Sequence, residues 1–260
     1  MTDNSKGINN TRGFLVIAAT IGTILFNWMA ATGRVNGVTP EYISDLYATP
    51  VTPAGYAFTI WSLIYLGSIA YSIYQILPNA AESARGVRSF YILACALNCG
   101  WIYMWHSNQI AICLVLILLL WACLFLINYR LKKTNSMGEY WLVKAPFGLY
   151  FGWVTAASLV NLAILLVAMP AGLSDAALNW TGVGLILFAG LLGVVISLRL
   201  KNYLYPLAIA WALTAIGVKQ STNTPIVFAA AIGTIACLIA TLSFVIYLPS
   251  TSTPSPKTED

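Results

Sequence analysis

The stretch from Gln109 to Tyr129, QIAICLVLILLLWACLFLINY, carries no charged residue. A helix needs about 20 apolar residues to cross the hydrocarbon core of a bilayer, so this stretch is long enough to span one. Similar runs recur along the chain, separated by short polar breaks. Eight spans follow from them: Gly13 to Ala31, Tyr56 to Leu77, Ser89 to Trp105, Gln109 to Tyr129, Val143 to Met169, Asn179 to Leu198, Leu204 to Lys219 and Pro225 to Leu248. The fold class expected is an all-α integral membrane protein with eight transmembrane helices. Composition agrees, because 59% of the 260 residues are hydrophobic and only 8% charged, far more apolar surface than a water-soluble domain needs.

The basic residues orient the spans. Of the 13 lysines and arginines, all but Arg34 and Lys219 fall in one alternate set of connecting segments. By the positive-inside rule that set is cytoplasmic, which places both termini there and requires an even number of spans. The net charge of +5 is therefore a topology signal, and the basic residues are spread too thinly to form a nucleic-acid surface. The run to Ala31 is long for the core of a signal peptide, so the first span is expected to remain uncleaved. With short loops and no recognisable transit peptide, a bacterial-type plasma membrane is the expected location.

Several chemistries lack their residues. None of the eight acidic residues lies within a span, which argues against an ion-coupled pump. No Ser-His-Asp set, HExxH or phosphate loop is present, so no enzyme activity is expected. The single histidine, His106, reads as interfacial, and Lys219 as a cation snorkelling from the end of its helix. Cys95, Cys99, Cys113, Cys123 and Cys237 all fall within spans and read as small buried residues, with no metal and no required cofactor.

Three spans carry a face of aromatic and amide residues. Phe58, Trp61 and Tyr65 share one side of the second; Cys95, Asn98, Trp101 and Trp105 of the third; Pro146, Tyr150, Trp153, Ala157 and Asn161 of the fifth. An amide in hydrocarbon is costly without a partner, so Asn98 and Asn161 should point into the bundle and bring the tryptophans with them. Trp28, Trp105, Trp141 and Trp180 lie near span ends and read as interfacial anchors. Trp61, Trp101 and Trp153 lie deeper, and their stripe fits either plain core packing or a pocket for a flat apolar ligand.

These residues resemble the tryptophan-rich sensory proteins related to the mitochondrial translocator protein, the TspO/MBR family. The likeness runs from Gly13 to about Met169. It rests on a Pro/Gly-rich first loop leading into WSLIY (Trp61 to Tyr65), on LNCGW (Leu97 to Trp101) and on WVTAASLVN (Trp153 to Asn161). The resemblance implies a five-helix bundle whose pocket binds a tetrapyrrole such as protoporphyrin IX or haem, or a sterol-like molecule. Trp61, Tyr65, Asn98, Trp101, Trp153, Ala157 and Asn161 would line that pocket, with Tyr150 beside them on the fifth-span stripe. The loop Thr32 to Gly55, stiffened by Pro50, Pro53 and Gly55, would close it as a lid. Val51 and Thr52 stand where the family usually has a tryptophan between the loop prolines, and Cys99 where a second often follows the asparagine. The light-driven porphyrin breakdown proposed for some relatives is therefore not carried over.

The expected organisation is a cytoplasmic N-terminal tail (1–12), the five-helix bundle (13–169), a three-helix transmembrane extension (170–248) and a disordered tail (249–260). Gly148 with Gly152 and Ala189 with Gly193 are small-residue pairs that suit either packing within the chain or a homodimer seam. The functional expectation is an integral membrane binding, sensory or translocator protein for a planar hydrophobic ligand. The alternatives are an eight-span small-molecule transporter and a membrane scaffold without a ligand.

Overall fold

The computed structural model describes residues 3–134, 136–169 and 173–247, so the tail expected over 249–260 lies outside the described residues. The elements are α1 (Asp3–Ala31), α2 (Pro40–Leu46), a 3₁₀ turn (Gly55–Thr59), α3 (Ile60–Tyr74), α4 (Glu82–Gly86), α5 (Arg88–His106), α6 (Ile110–Arg130), α7 (Met137–Glu139), a π-helical turn (Tyr140–Lys144), α8 (Ala145–Ala168), α9 (Asp175–Leu200), α10 (Leu204–Lys219) and α11 (Thr224–Tyr247). No strand occurs among the described residues. The expected span from Tyr56 is split, the 3₁₀ turn coming first and the α-helix starting at Ile60. The first helix starts at Asp3, well ahead of Gly13, so the segment expected as a tail is already helical. Local chemistry sets several ends. Ser174 caps α9 by accepting from the Ala177 N–H at 3.3 Å, and α9 closes on Lys201 in the left-handed region at φ 53°. The π turn sits directly ahead of Pro146, whose nitrogen has no hydrogen for the carbonyl four residues back.

Among the described residues six stretches are long and apolar enough to cross a membrane: Asn10–Ala31, Gly55–Tyr74, Ile110–Arg130, Met137–Ala168, Asp175–Leu200 and Thr224–Ser243. The two remaining helices of the expected eight are α5 and α10. The first is more polar, carrying Arg88, Asn98 and His106 in 19 residues. The second has 16 residues, about 24 Å of helix against a core of about 30 Å. Their neighbours explain why they tolerate this: α5 lies between α1 and α6, and α10 between α8, α9 and α11. A helix screened by other helices need not be apolar all round.

The first five long helices close a ring in the order α1, α5, α6, α8, α3 and back to α1. The last three attach through α10, which packs along α8 on one side and against α9 and α11 on the other. Small residues make these seams. A methyl group at Gly152 would overlap the carbonyl oxygen of Tyr205, and one at Gly148 would overlap the Asn202 amide. Asn202 in turn donates to the Asn128 side chain (2.8 Å) and the Lys144 carbonyl (2.6 Å), tying α6, the π turn and the α9–α10 connection together. Further out, Gly190 would meet the Cα of Gly233 at 2.9 Å, and Gly193 abuts Cys237. The small-residue pairs read from sequence are thus spent inside one chain.

Gly152→Ile is expected to lower the thermal midpoint of the solubilised protein by the equivalent of about 1–3 kcal/mol, the usual cost of overpacking. Gly22→Ile in α1 should leave the midpoint unchanged, because nothing lies within 4 Å of that position.

Candidate functional site

Inside the ring the three deep tryptophans meet. Trp61, at the start of α3, lies nearly parallel to Trp101 of α5 at 6.5 Å between ring centroids and meets Trp153 of α8 edge-on at 6.4 Å. Tyr65 stacks on Trp61 at 5.6 Å, and Tyr150 meets it edge-on at 5.7 Å. These offset and edge-to-face arrangements are the ones aromatic quadrupoles favour.

The eight residues expected in one pocket fall into three groups. Trp101, Trp153, Ala157 and Asn161 line a cavity of about 30 Å³, together with Ser44 and Pro53 of the first loop, Phe58, Trp105, and Ala212 and Ile216 of α10. Trp61, Tyr65 and Tyr150 line a separate void of about 10 Å³ that faces Thr20 and Thr23 of α1. Asn98 lines neither. Its Oδ1 accepts from the Asn27 amide at 2.7 Å, linking α5 to α1. Asn161 accepts from the Trp101 indole at 3.3 Å and donates to the Ala157 carbonyl at 2.9 Å. In the wall of the larger cavity the indole N–H of Trp153 and the hydroxyl of Ser44 are buried without a partner, and outside it Asn98 Nδ2 has no acceptor. The larger cavity has room for about one water, whereas small-molecule sites run to about 300–1,000 Å³. The aromatic rings fill their own pocket.

The first loop covers this cavity, and part of it is helical. Thr39 caps α2, accepting from the Tyr42 N–H at 3.2 Å, and Pro40 takes the first helical position. On one side the loop is held by α5 and the turn after it. Trp105 donates to the Pro40 carbonyl (3.0 Å), Asn36 to the His106 carbonyl (3.2 Å) and Tyr47 to Asn108 (2.8 Å). On the other side it is held by α10. The Ala54 N–H donates to the Ala215 carbonyl (3.0 Å), Gln220 to the Thr49 carbonyl (3.0 Å) and the Trp211 indole to the Ala57 carbonyl (3.0 Å). Pro50 packs on Gly182 of α9, and Gly55 lies so close to Glu41 that a side chain there would collide with it.

Three readings at helix ends need correction. Trp105, expected as an interfacial anchor, is 2% exposed, stacks on Trp101 at 5.6 Å and holds the lid. His106, also expected at the interface, is buried, with its ring nitrogens 2.7 Å from the Ile102 carbonyl and 3.3 Å from that of Ala30. Lys219 pairs with Asp45 of α2 at 3.0 Å rather than snorkelling. Sequence reasoning missed Ala212 and Ile216 as cavity wall and Asn27 as the partner of Asn98. A polar residue inside the first apolar run was the available sign for Asn27. No group of three or more potential metal ligands occurs among the described residues.

A family model described as TSPO-like protein matches residues 13–244. The chain belongs to the TSPO-like family. The match continues past Met169 through α9 and α10 into α11, so it takes in the helices that hold the lid. No curated protein and no solved structure matches the chain. Family membership and the six long apolar helices make this TSPO-like protein an integral, multi-pass membrane protein.

Trp211→Phe keeps an aromatic ring, smaller than the indole, and removes the donor to Ala57. It is expected to speed hydrogen–deuterium exchange of the amides at 54–59. Lys219→Ala removes only a half-exposed pair and should change stability by less than about 1 kcal/mol in thermal unfolding.

Proposed function

We propose that this TSPO-like protein binds a planar apolar ligand without covalent chemistry, between the indole faces of α3, α5 and α8 and beneath the α2 lid. The ligand class is a tetrapyrrole such as protoporphyrin IX or haem, or a sterol-like molecule. Binding serves sensing or translocation, and no catalysis is involved. The observation that carries this reading is the indole N–H of Trp153, buried in the cavity wall without an acceptor. A buried donor left unpaired costs about 1–3 kcal/mol, and a ligand carbonyl or ring nitrogen would remove that cost.

The lining refines the class. It has no cation to neutralise propionates and no imidazole or thiolate to take an axial position on iron. Uncharged planar molecules are therefore favoured over dianionic ones, and haem would be held by stacking alone. The closed cavity is too small for any of them, so the rings must part and the lid must lift. Because three bonds to α5 and its turn and three to α10 hold the lid, both helices contribute to the cost of opening. The reading includes eight spans, counting α5 and α10, with both termini cytoplasmic in a bacterial-type plasma membrane.

The test is tryptophan quenching in nanodiscs, titrated with protoporphyrin IX, its dimethyl ester and haemin. Saturable quenching is expected, with the uncharged ester binding at least as tightly as the free acid and Trp153→Phe weakening both. In Ala54→Cys/Ala215→Cys, oxidation should fasten the lid and abolish binding, and reduction should restore it. Absence of saturable quenching by all three compounds overturns the proposal, and flux of the same compounds across sealed vesicles would favour the transporter reading.

A further inference from the structure

The aromatic cavity is not the largest space in the protein. A groove of about 530 Å³ opens towards the membrane between the start of α3 and the middle of α10 and α11, with Leu149 of α8 also in its wall. That volume falls within the range of sites that hold small molecules. The groove shares no lining residue with the aromatic cavity. Consecutive residues divide the two spaces, Phe58 and Ala212 facing the cavity and Thr59 and Trp211 the groove. It exists because α10 and α11 are present, and it stands apart from the function proposed above.

Its chemistry is restrictive. Leu63, Leu149, Leu207 and Leu238 supply apolar surface, and no charged residue lines it, so a charged occupant would lie unpaired in a low-dielectric setting. The indole N–H of Trp211 is spent on Ala57, which leaves the ring face. Thr59 and Thr214 spend their hydroxyls on carbonyls of their own segments, at 2.8 Å each. Thr234 differs. Its hydroxyl oxygen is hidden from solvent and has no partner, although a helical threonine ordinarily bonds the carbonyl one turn back. Thr234 lines the groove, so this is the buried hydroxyl of its wall left without a partner.

Depth narrows the occupant further. Thr234 lies ten residues into α11, about 15 Å from the start of that helix and so near the middle of a core about 30 Å thick. The ester groups of a phospholipid stay at the interface, and its acyl chains have nothing to pair with a hydroxyl at that level. We propose that the groove is a binding site for an uncharged lipophile with a hydroxyl or carbonyl group, which enters sideways from the bilayer and pairs that group with Thr234.

The experiment uses the full chain in phosphatidylcholine nanodiscs and a long-chain alcohol carrying a diazirine, with labelled positions mapped by mass spectrometry after irradiation. Labelling should be saturable, should concentrate at 207–214 and 234–238, and should be displaced by the unlabelled alcohol. Leu238→Trp fills the groove from its exposed rim and should abolish the saturable labelling. Thr234→Val keeps the shape and should weaken displacement by the alcohol about two- to tenfold, the net worth of one hydrogen bond. Thermal midpoints close to that of the unaltered protein confirm that both variants are folded. Labelling that grows without saturation and spreads over the exposed faces of α6 and α11 overturns the proposal, as does unchanged displacement in Thr234→Val.

Discussion

The close approach of α8 to the α9–α10 connection at Gly148 and to α10 at Gly152 is the contact on which the rest of this protein depends. Without side chains at those positions the Tyr205 backbone comes against α8, and the Thr155 hydroxyl joins two helices beside it, 3.1 Å from the Tyr205 hydroxyl and accepting from the Trp121 indole N–H at 2.9 Å. Helix α8 therefore serves two units at once. Its inner face carries Trp153 and Asn161, while its glycine face holds the layer that fastens the lid. In lipid there is little hydrophobic drive between helices, so contacts of this kind depend on dispersion and on backbone proximity, which a single added side chain removes.

The closed cavity is a consequence of the same economy. Three indoles from three helices close on one another, Trp61 stacked on Trp101 and edge-on to Trp153, because empty space in a core forfeits dispersion contacts that rings can supply. A ligand would exchange ring–ring contact for ring–ligand contact and could pair the two lining groups left without a partner, the Trp153 indole N–H and the Ser44 hydroxyl. The gain from binding is thus the difference between two similar packings plus the donors, less the bonds that hold the lid. Affinity in such a site is set less by the area of the aromatic surface than by how much the resting state already satisfies it.

Much of this arrangement was legible in the sequence, and the failures at helix ends share a cause. The stripes on α3, α5 and α8 were readable because helical spacing places residues on a face whatever surrounds them, and the amides at Asn98 and Asn161 marked those faces as internal. Trp105, His106 and Lys219 were misread because a rule about span ends assumes that lipid headgroups lie beyond them, whereas here the first loop does. Ala212 and Ile216 were invisible for another reason. Helix α10 is apolar on nearly every side, so its sequence does not say which side faces the bundle. The partition of the aromatic residues into two voids depends on where Trp61 places its ring, which no spacing records.

At about 24 Å, α10 is shorter than a hydrocarbon core of about 30 Å, and the segment from Thr49 to Ala57 runs along its C-terminal half. Trp211 and Val218 are both exposed on that helix, so surrounding lipid meets a locally thin wall. Matching hydrocarbon to a short wall costs fractions of a kcal/mol for each ångström, paid by thinning the bilayer or tilting the helices. On the proposed reading, in which that loop must lift to admit a ligand, the thickness of the surrounding bilayer would bear on how readily the cavity opens.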